Sequence, residues 1–335
     1  ITTSQGDKTC TTARLNNMYI LILMLKFDKM KLVTKIDYIS DIDYSKFILN
    51  SKEDSILYYK YQQERPFYLL VMVNYQHDEL VLEFTGKILL DNYANLINIY
   101  TAKDCLSQIN RLGFCHLNVD SIMEDCNVVK CDVTKDIECS PIQDIATNVR
   151  QNLSNYKKWI TRPYHKEGIT IENVVKTPRY KKRLIIYDKA KELQSADNRY
   201  FLNAVSNSDE ILSYFNNKIR FELNINTMDQ IRNLLNIPNN NLLAVLASKA
   251  NPILSVIDEA IKYNDCQHRS MNLRDYEHCL LLKECNYDMN AVEAKVRTLS
   301  AKTTSITRVM KVYKDLYNQI QTKSAHNIDI RALVT

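Results

Sequence analysis

Residues 219–226, Ile-Arg-Phe-Glu-Leu-Asn-Ile-Asn, alternate completely between apolar and polar side chains. Successive side chains of a strand point to opposite faces of a sheet, so this segment predicts a strand with one buried and one polar face. Other β-branched or aromatic runs, separated by polar breaks, predict further strands. They lie at 31–38, 56–61, 68–75, 79–85, 127–134, 168–176 and 182–187. The chain must therefore build a sheet.

The hydrophobic period becomes helical after Thr227. Helices are expected at 102–111, after Pro141, at 209–215, and then at 228–235, 241–263, 273–284, 291–299 and 306–320. We predict an α+β fold, with an antiparallel-sheet domain over residues 27–237 and a helical region over 238–335. No internal repeat is visible. Because the chain starts with Ile rather than Met, we expect residues 1–26 to be a non-native or disordered leader.

Glycine is rare, with four residues in 335, and neither a P-loop nor a G-x-G-x-x-G run occurs. Both motifs need glycine to let the backbone approach phosphates, so a nucleotide-cofactor enzyme is disfavoured. Nine cysteines without a small-domain spacing indicate reduced thiols, and we expect the protein in a cytoplasm. The apolar run 18–25 is too short to span a bilayer, and no membrane partner is expected.

Positive charge is concentrated between residues 156 and 192, where eleven Lys/Arg face four acids, against a net charge of +5 for the whole chain. Tyrosines and Trp159 are interleaved with these cations. Cations that track phosphates and rings that stack on bases are typical of single-stranded nucleic-acid binding. A solvated lysine-rich face is the alternative, and charge alone does not separate the two.

Three of the expected strands carry acidic side chains on their polar faces: 79–85, 129–134 and 219–226. If the strands join one sheet, carboxylates collect on one face, where a hard divalent cation would neutralise their repulsion. An antiparallel sheet with one wet side explains each strand equally well. A second candidate feature is Tyr187, at the end of the apolar run 183–187 and followed by Lys189. A nearby cation can stabilise a phenolate nucleophile, although a buried core tyrosine is the commoner case.

The order of several short motifs resembles the replication initiators of filamentous phages and the related rolling-circle initiators of small plasmids. The motifs are FDKMKLV (27–33), VLEFTGKILLDN (81–92), VVKCDVTKD (128–136), the Tyr-x-Lys-x-x-Glu run in LIIYDKAKEL (184–193), and IRFELNI (219–225). The likeness covers about residues 27 to 235 in order, and it implies a catalytic sheet domain of the rolling-circle nuclease type.

The resemblance implies a DNA nickase and strand transferase. Tyr187 would be the nucleophile and would form a 5′-phosphotyrosyl bond, with Lys189 stabilising the phenolate or the phosphate. Glu83, Asp132 and Glu222 would hold Mg²⁺ or Mn²⁺. The partners would be single-stranded or extruded origin DNA and a host helicase and polymerase. DNA contacts are expected from the basic segment and from the β-strand arginine, namely Lys157, Lys158, Trp159, Arg179, Lys181, Lys182, Arg183 and Arg220.

Two alternatives remain open at this point: a non-catalytic DNA-binding replication regulator on the same fold, and a mobilisation relaxase with the same chemistry. The sequence also departs from many rolling-circle nucleases, because it has no His-hydrophobic-His triplet. His116 in Cys-His-Leu-Asn is the nearest imitation and stays a possible ligand.

Overall fold

A large antiparallel sheet dominates the computed structural model, which describes residues 24–52, 55–139, 142–153, 159–165, 167–261, 272–285, 288–299, 305–324 and 329–335. The strands in these ranges are β1 (Lys26–Lys35), β2 (Ile39–Ser40), β3 (Ile48–Lys52), β4 (Ser55–Gln63), β5 (Leu69–Asn74), β6 (Glu79–Thr85), β7 (His116–Leu117), β8 (Asn127–Glu138), β9 (Trp159–Tyr164), β10 (Gly168–Asn173), β11 (Arg183–Asp188) and β12 (Lys218–Ile225). The strand order of the main sheet is β3-β4-β5-β6-β1-β8-β12-β11-β10-β9, and β2 pairs with β7 separately.

The strand order contains a repeat that the sequence does not display. β1 pairs with β6, the last strand of the meander β3–β6, and β8 pairs with β12, the last strand of the meander β9–β12. β1 and β8 then pair with each other, antiparallel, at the centre of the sheet. The two halves have the same topology and different side chains.

Six of the named helices lie between strands in sequence, and the other seven follow β12. They are α1 (Ala102–Arg111), α2 (Val119–Asp125), α3 (Ile142–Asn152), α4 (Lys189–Leu193), α5 (Arg199–Ala204), α6 (Ser208–Phe215), α7 (Met228–Leu235), α8 (Leu242–Leu246), α9 (Pro252–Ala260), α10 (Leu273–Glu284), α11 (Met289–Leu299), α12 (Ile306–Ser324) and α13 (Ile330–Val334), with a 3₁₀ segment at Gly86–Asn95. The α+β class, with a large antiparallel sheet, is confirmed. None of the described helices is long and apolar enough to cross a membrane.

One face of the sheet carries the main core. The alternation of β12 is realised, since Ile219, Phe221, Leu223 and Ile225 are at most 3% exposed. They pack in one cluster with apolar side chains of β1, β5, β6, β8 and β11, covered by α1, α3, α7, α8, α9 and α13. The core therefore continues past residue 238, because α8, α9 and α13 cover the sheet, whereas α10–α12 form a separate small cluster.

The opposite face of the sheet is polar, and among the described residues α4, α5, α6 and the 3₁₀ segment lie over one end of it. They form a small apolar cluster that includes Tyr93, Phe201 and Phe215. This cover buries the charged side chain of Arg220 beneath it, while Arg162 and Arg183 farther along the face stay partly exposed. The candidate site lies at this boundary.

Candidate functional site

The strand register brings Asp136 of β8, Arg220 of β12 and Tyr187 of β11 into one row across the polar face. Arg220 is directly opposite both neighbours, and residues directly opposite in antiparallel pairs point to the same face. Asp188 ends β11 and begins α4 by accepting a hydrogen bond from the backbone N–H of Lys191. This turn brings α4 back against β11 and β12, directly after Tyr187.

Arg220 is fully buried and makes four hydrogen bonds to protein atoms. Its Nε and Nη2 donate to the two carboxylate oxygens of Asp136 at 2.6 and 2.8 Å, and its Nη1 donates to Asp28 at 2.7 Å and to the Tyr93 hydroxyl at 3.2 Å. A guanidinium with a fork-like pair of bonds to one carboxylate is a strong, oriented contact. The expected phosphate contact by Arg220 does not fit this geometry, because four of its five N–H donors bond to protein atoms and its exposure is 0%. Arg220 therefore holds Asp28, Asp136 and Tyr93 in place within the site.

Tyr187 lies beside this network with its hydroxyl directed at a carboxylate. It is 4% exposed and donates a hydrogen bond to Glu222 Oε2 at 2.8 Å. Burial and the nearby charge of Glu222 raise the pKa of Tyr187 well above its usual value, so the resting group is a phenol. Gly168 is required opposite it, since a Cβ there would lie 2.8 Å from the Tyr164 carbonyl oxygen and 3.1 Å from the Tyr187 Cβ.

Glu222 and Asp132 form a buried acidic pair one row apart on β12 and β8. Burial and the charges of Asp28 and Asp132 raise the pKa of Glu222 to about 7. Burial raises the pKa of Asp132 to about 6, and the nearby charge of Asp28 adds to this effect. Asp132 Oδ1 is buried and has no hydrogen-bond partner among the described residues. Two acids of this kind can exchange protons near neutral pH or accept a cation.

Lys189 lies under the aromatic rings and makes a buried ion pair. Its Nζ is 2.6 Å from Glu192 Oε2 and 5.6 Å from the centre of the Tyr187 ring. Burial by itself would lower the pKa of Lys189, but the interactions with Glu192, Tyr93 and Asp28 together raise it. Asn198 donates to Glu192 Oε1 at 2.9 Å and orients that carboxylate. The Tyr-x-Lys-x-x-Glu motif is thus one contiguous unit in the fold.

Glu83, the third expected metal ligand, faces the same side of the sheet but belongs to a different contact group. Its carboxylate pairs with Lys29 at 2.6 Å and with Lys31 at 3.6 Å, both from the neighbouring strand β1. Burial would raise its pKa, but the hydrogen bond from Lys29 and the charges around it lower the pKa. Within the described ranges, no three acidic, His or Cys side chains converge as a ready metal site.

A cationic cluster surrounds one buried carboxylate on the same face, towards the β9 edge. Glu172 of β10 is 4% exposed and pairs with Arg162 and Arg183 at 3.3 Å each and with Lys181. Three cations share one anion, so the cluster keeps a local excess of two positive charges. Arg183 is in the same cross-strand row as Asp132, with one β12 residue between them. Of the expected DNA-binding residues, Lys181 and Arg183 therefore fit a phosphate track.

The other expected DNA contacts have different outcomes. Lys182 pairs with Glu259 of α9 at 2.7 Å, so it belongs to the opposite, helix-covered side. Trp159 is 3% exposed and packs in the core, which does not fit stacking on a base. Arg179 lies over the exposed ring of Tyr180 at 4.9 Å. Lys157 and Lys158 lie outside the described residues.

His116 does not join the acidic pair. It is exposed in the two-stranded sheet, where it pairs with Ser40. The residues that sequence reasoning missed are Asp28, Tyr93, Asp136, Glu172 and Glu192. Three of them stand inside the quoted motifs, Asp28 in 27–33, Asp136 in 128–136 and Glu192 in 184–193, so the motifs held the signal for them.

A pocket of about 390 Å³ opens beside Tyr187, between α4 and the β9–β10 turn. Its lining comprises Tyr164, His165, Glu167, Gly168, Tyr187, Asp188, Lys191, Glu192, Gln194 and Ser195. Lys191 Nζ of α4 is 2.5 Å from Glu167 Oε2 of the turn, so an ion pair joins the two walls. The pocket reaches Tyr187, whose hydroxyl is bonded to Glu222 of the acidic pair.

No protein-family model matches the chain, and no curated protein shows a significant match to it. The resemblance to rolling-circle initiators therefore stays a prediction from the motifs. The function is inferred below from the geometry and charges of the site.

Proposed function

We propose that this protein is a replication initiator of the rolling-circle type, which nicks single-stranded or extruded origin DNA with Tyr187 and later rejoins the strand. The observation that carries the proposal is the 2.8 Å hydrogen bond from the Tyr187 hydroxyl to Glu222, next to Asp132 on the polar face. In this proposal a host polymerase extends the nicked strand in the host cytoplasm, and a host helicase unwinds the duplex ahead of it.

The geometry supports general-base activation of the tyrosine. Glu222 Oε2 already accepts the phenolic hydrogen, so this carboxylate is placed to take up the proton when the phenolic oxygen attacks. The phenolic oxygen would bond to phosphorus, the P–O3′ bond would break, and the 3′ oxygen would leave as a hydroxyl after taking up a proton. The positive charge of Lys189, close to the Tyr187 ring, would stabilise the negative charge that develops on the phenolic oxygen.

Asp132 and Glu222 fit a divalent cation. Asp132 Oδ1 is buried without a hydrogen-bond partner in the described part of the chain, and both carboxylates resist ionisation in their present surroundings. Oxygen ligands of this kind suit Mg²⁺ or Mn²⁺, and such an ion would supply charge neutralisation and polarisation of the scissile phosphate. Glu83 is occupied by two lysines and is not part of this set.

The cluster of Arg162, Lys181 and Arg183 around Glu172 supports a phosphate track that leads to Asp132. These side chains are 36% to 63% exposed, in contrast to the buried Arg220. Arg162 of β9 and Arg183 of β11 flank Glu172 of β10, so the two arginines come from strands that are about 10 Å apart across the sheet. Their excess charge would release counterions when DNA binds.

The decisive experiment traps the covalent intermediate. The full chain is incubated with Mn²⁺ and a random-sequence single-stranded DNA library labelled at its 3′ end, then denatured in detergent and separated on a gel. The wild type should carry label on the peptide that contains Ile185, Ile186 and Tyr187. Tyr187→Phe keeps the ring and its packing, so it should bind DNA but give no adduct. Tyr180→Phe and Tyr200→Phe are matched controls and should give the wild-type adduct.

The metal requirement is tested in the same assay. EDTA should abolish the adduct, and Asp132→Ala should lose it while DNA binding changes much less. An undiminished adduct in EDTA would remove the cation from the proposal, and an adduct on Tyr187→Phe would remove the tyrosine.

A non-catalytic DNA-binding regulator on the same fold is the second candidate. The low exposure of Tyr187, 4%, and the pairing of Glu83 with lysines favour it. This candidate predicts salt-sensitive DNA binding by wild type and by Tyr187→Phe, with no adduct from either in any metal.

A further inference from the structure

The pocket beside Tyr187 has the shape and chemistry of a base-recognition site. We propose that it binds the nucleobase of a nucleotide flanking the scissile phosphate, with preference for bases that carry an exocyclic amino group. The inference rests on the proposed nicking function, because that function brings a nucleotide to Tyr187.

Size and position support a single nucleotide. A volume of about 390 Å³ is at the small end of ligand pockets and suits one base with its sugar. The Tyr187 ring forms part of the wall, so a phosphate that reaches its hydroxyl carries its own nucleoside next to the pocket. The base of that nucleoside can therefore enter the pocket while its phosphate stays at the Tyr187 hydroxyl.

The walls combine flat rings with polar edges. Tyr164 lies 5.1 Å from the Tyr187 ring at an angle of 48°, and His165 follows it in the turn with a positive φ of 49°. Rings offer stacking faces to any base. Gln194 and Ser195, from the opposite wall, offer donors and acceptors to a base edge.

The charge of the pocket lining favours entry of the base of a nucleotide over entry of its phosphate. Glu167, Asp188 and Glu192 supply three carboxylates. Lys191 pairs with the first two and Lys189 pairs with Glu192, so the lining keeps an excess of one negative charge. A phosphate would be repelled by this lining, whereas amino and imino groups of a base would be accepted as hydrogen-bond donors. Thymine has no exocyclic amino group and should bind least well.

The test uses the full chain and deoxynucleoside monophosphates as probes. Saturation-transfer NMR in EDTA compares dAMP, dCMP, dGMP and dTMP with 2-deoxyribose 5-phosphate, which lacks the base. At least one of the three amino-bearing nucleotides should bind ten times more tightly than the sugar phosphate, and dTMP should be the weakest nucleotide. Equal binding of all five probes would overturn the proposal.

Two pocket variants and two matched controls locate the binding. Tyr164→Leu and the exposed Gln194→Ala should each weaken nucleotide binding at least fivefold. Tyr100→Leu and Gln76→Ala replace exposed residues outside the pocket and should leave binding unchanged. Emission of the single, buried Trp159 reports whether each variant keeps its fold. Unchanged binding in a folded Gln194→Ala and a folded Tyr164→Leu would refute the pocket as the site.

The two proposals fail in different ways. If wild type forms the covalent adduct while all nucleotides bind like the sugar phosphate, the base pocket is refuted and the nickase stands. If nucleotides bind in the pocket as expected and no adduct forms with any metal, the nickase is refuted and the pocket stands.

Discussion

The substitution Glu222→Gln tests how much the buried charge of Glu222 destabilises the fold, because it removes the charge and keeps the packing. Glutamine has nearly the same size as glutamate, and its carbonyl oxygen can still accept the hydrogen bond from Tyr187. The change removes only the ability to carry a negative charge in a buried place beside Asp28 and Asp132. We therefore expect this variant to be more stable than wild type at neutral and alkaline pH, and inactive.

The size of the effect follows from the shifted pKa. In the folded protein the pKa of Glu222 is raised from 4.5 to about 7, mainly by burial, which corresponds to about 3 kcal/mol. Below pH 4.5 the group is protonated in both folded and unfolded chains and contributes no difference. Between pH 4.5 and about 7 the unfolded chain loses this proton first, so the stability of wild type falls as pH rises. Glu222→Gln should lack this fall and should exceed wild type by about 3 kcal/mol at pH 8.

The assay is urea unfolding followed by Trp159 fluorescence, in EDTA, at several pH values from 4 to 8. Trp159 is buried in the same sheet, so its emission reports on the domain that contains the site. Glu83→Gln is the control of opposite sign, because the pKa of Glu83 is lowered and its charge stabilises the fold at neutral pH. The reasoning would be refuted if Glu222→Gln were less stable than wild type at pH 8. It would also be refuted if the difference in unfolding free energy between the two proteins were the same at every pH.

Four further outcomes are expected. Arg220→Leu leaves two buried aspartates without their cation and should cost about 3–5 kcal/mol of unfolding free energy by urea titration. Gly168→Ala forces a Cβ against backbone oxygens and the Tyr187 Cβ, so its thermal midpoint and its adduct yield should both fall, with about 1–3 kcal/mol lost. Arg183→Gln should reduce the slope of log affinity against log salt for single-stranded DNA by about one, with little effect on stability. Mg²⁺ should raise the unfolding midpoint of wild type at pH 8 and have no such effect on Asp132→Ala.

Much of the secondary structure was predictable from local pattern. The helices Ala102–Arg111, Met228–Leu235 and Leu273–Glu284 match the expected ranges, and β12 differs from its expected range by one residue at each end. Ala102–Arg111 and Met228–Leu235 have a strong period of 3.6 and β12 has a period of 2, and the Thr227 side chain caps α7. The α+β class follows from the order of these elements.

The site was predictable only in part. Tyr187, Asp132 and Glu222 were identified from short motifs, and the register does place them on one face of the sheet. Sequence could not say that Arg220 on the same face would be buried, because the cover over it comes from α4, α5, α6 and the 3₁₀ segment. It also could not say that Glu83 would pair with the lysines of β1, since those contacts depend on which strand lies next to β6.

The amino-acid sequence by itself predicted most of the longer strands and helices and which side chains of those strands are polar, because both depend on periods of a few residues. It did not predict the strands β2, β3, β7 and β9. Only the tertiary structure decided the strand order, the repeated topology of the two halves and the opposite placement of Lys181 and Lys182. Those features depend on contacts between residues far apart in the chain. Contacts between distant residues also explain why the arginines around Glu172 are exposed and Arg220 is buried. The apolar cluster of α4, α5, α6 and the 3₁₀ segment covers the end of the polar face that holds Arg220.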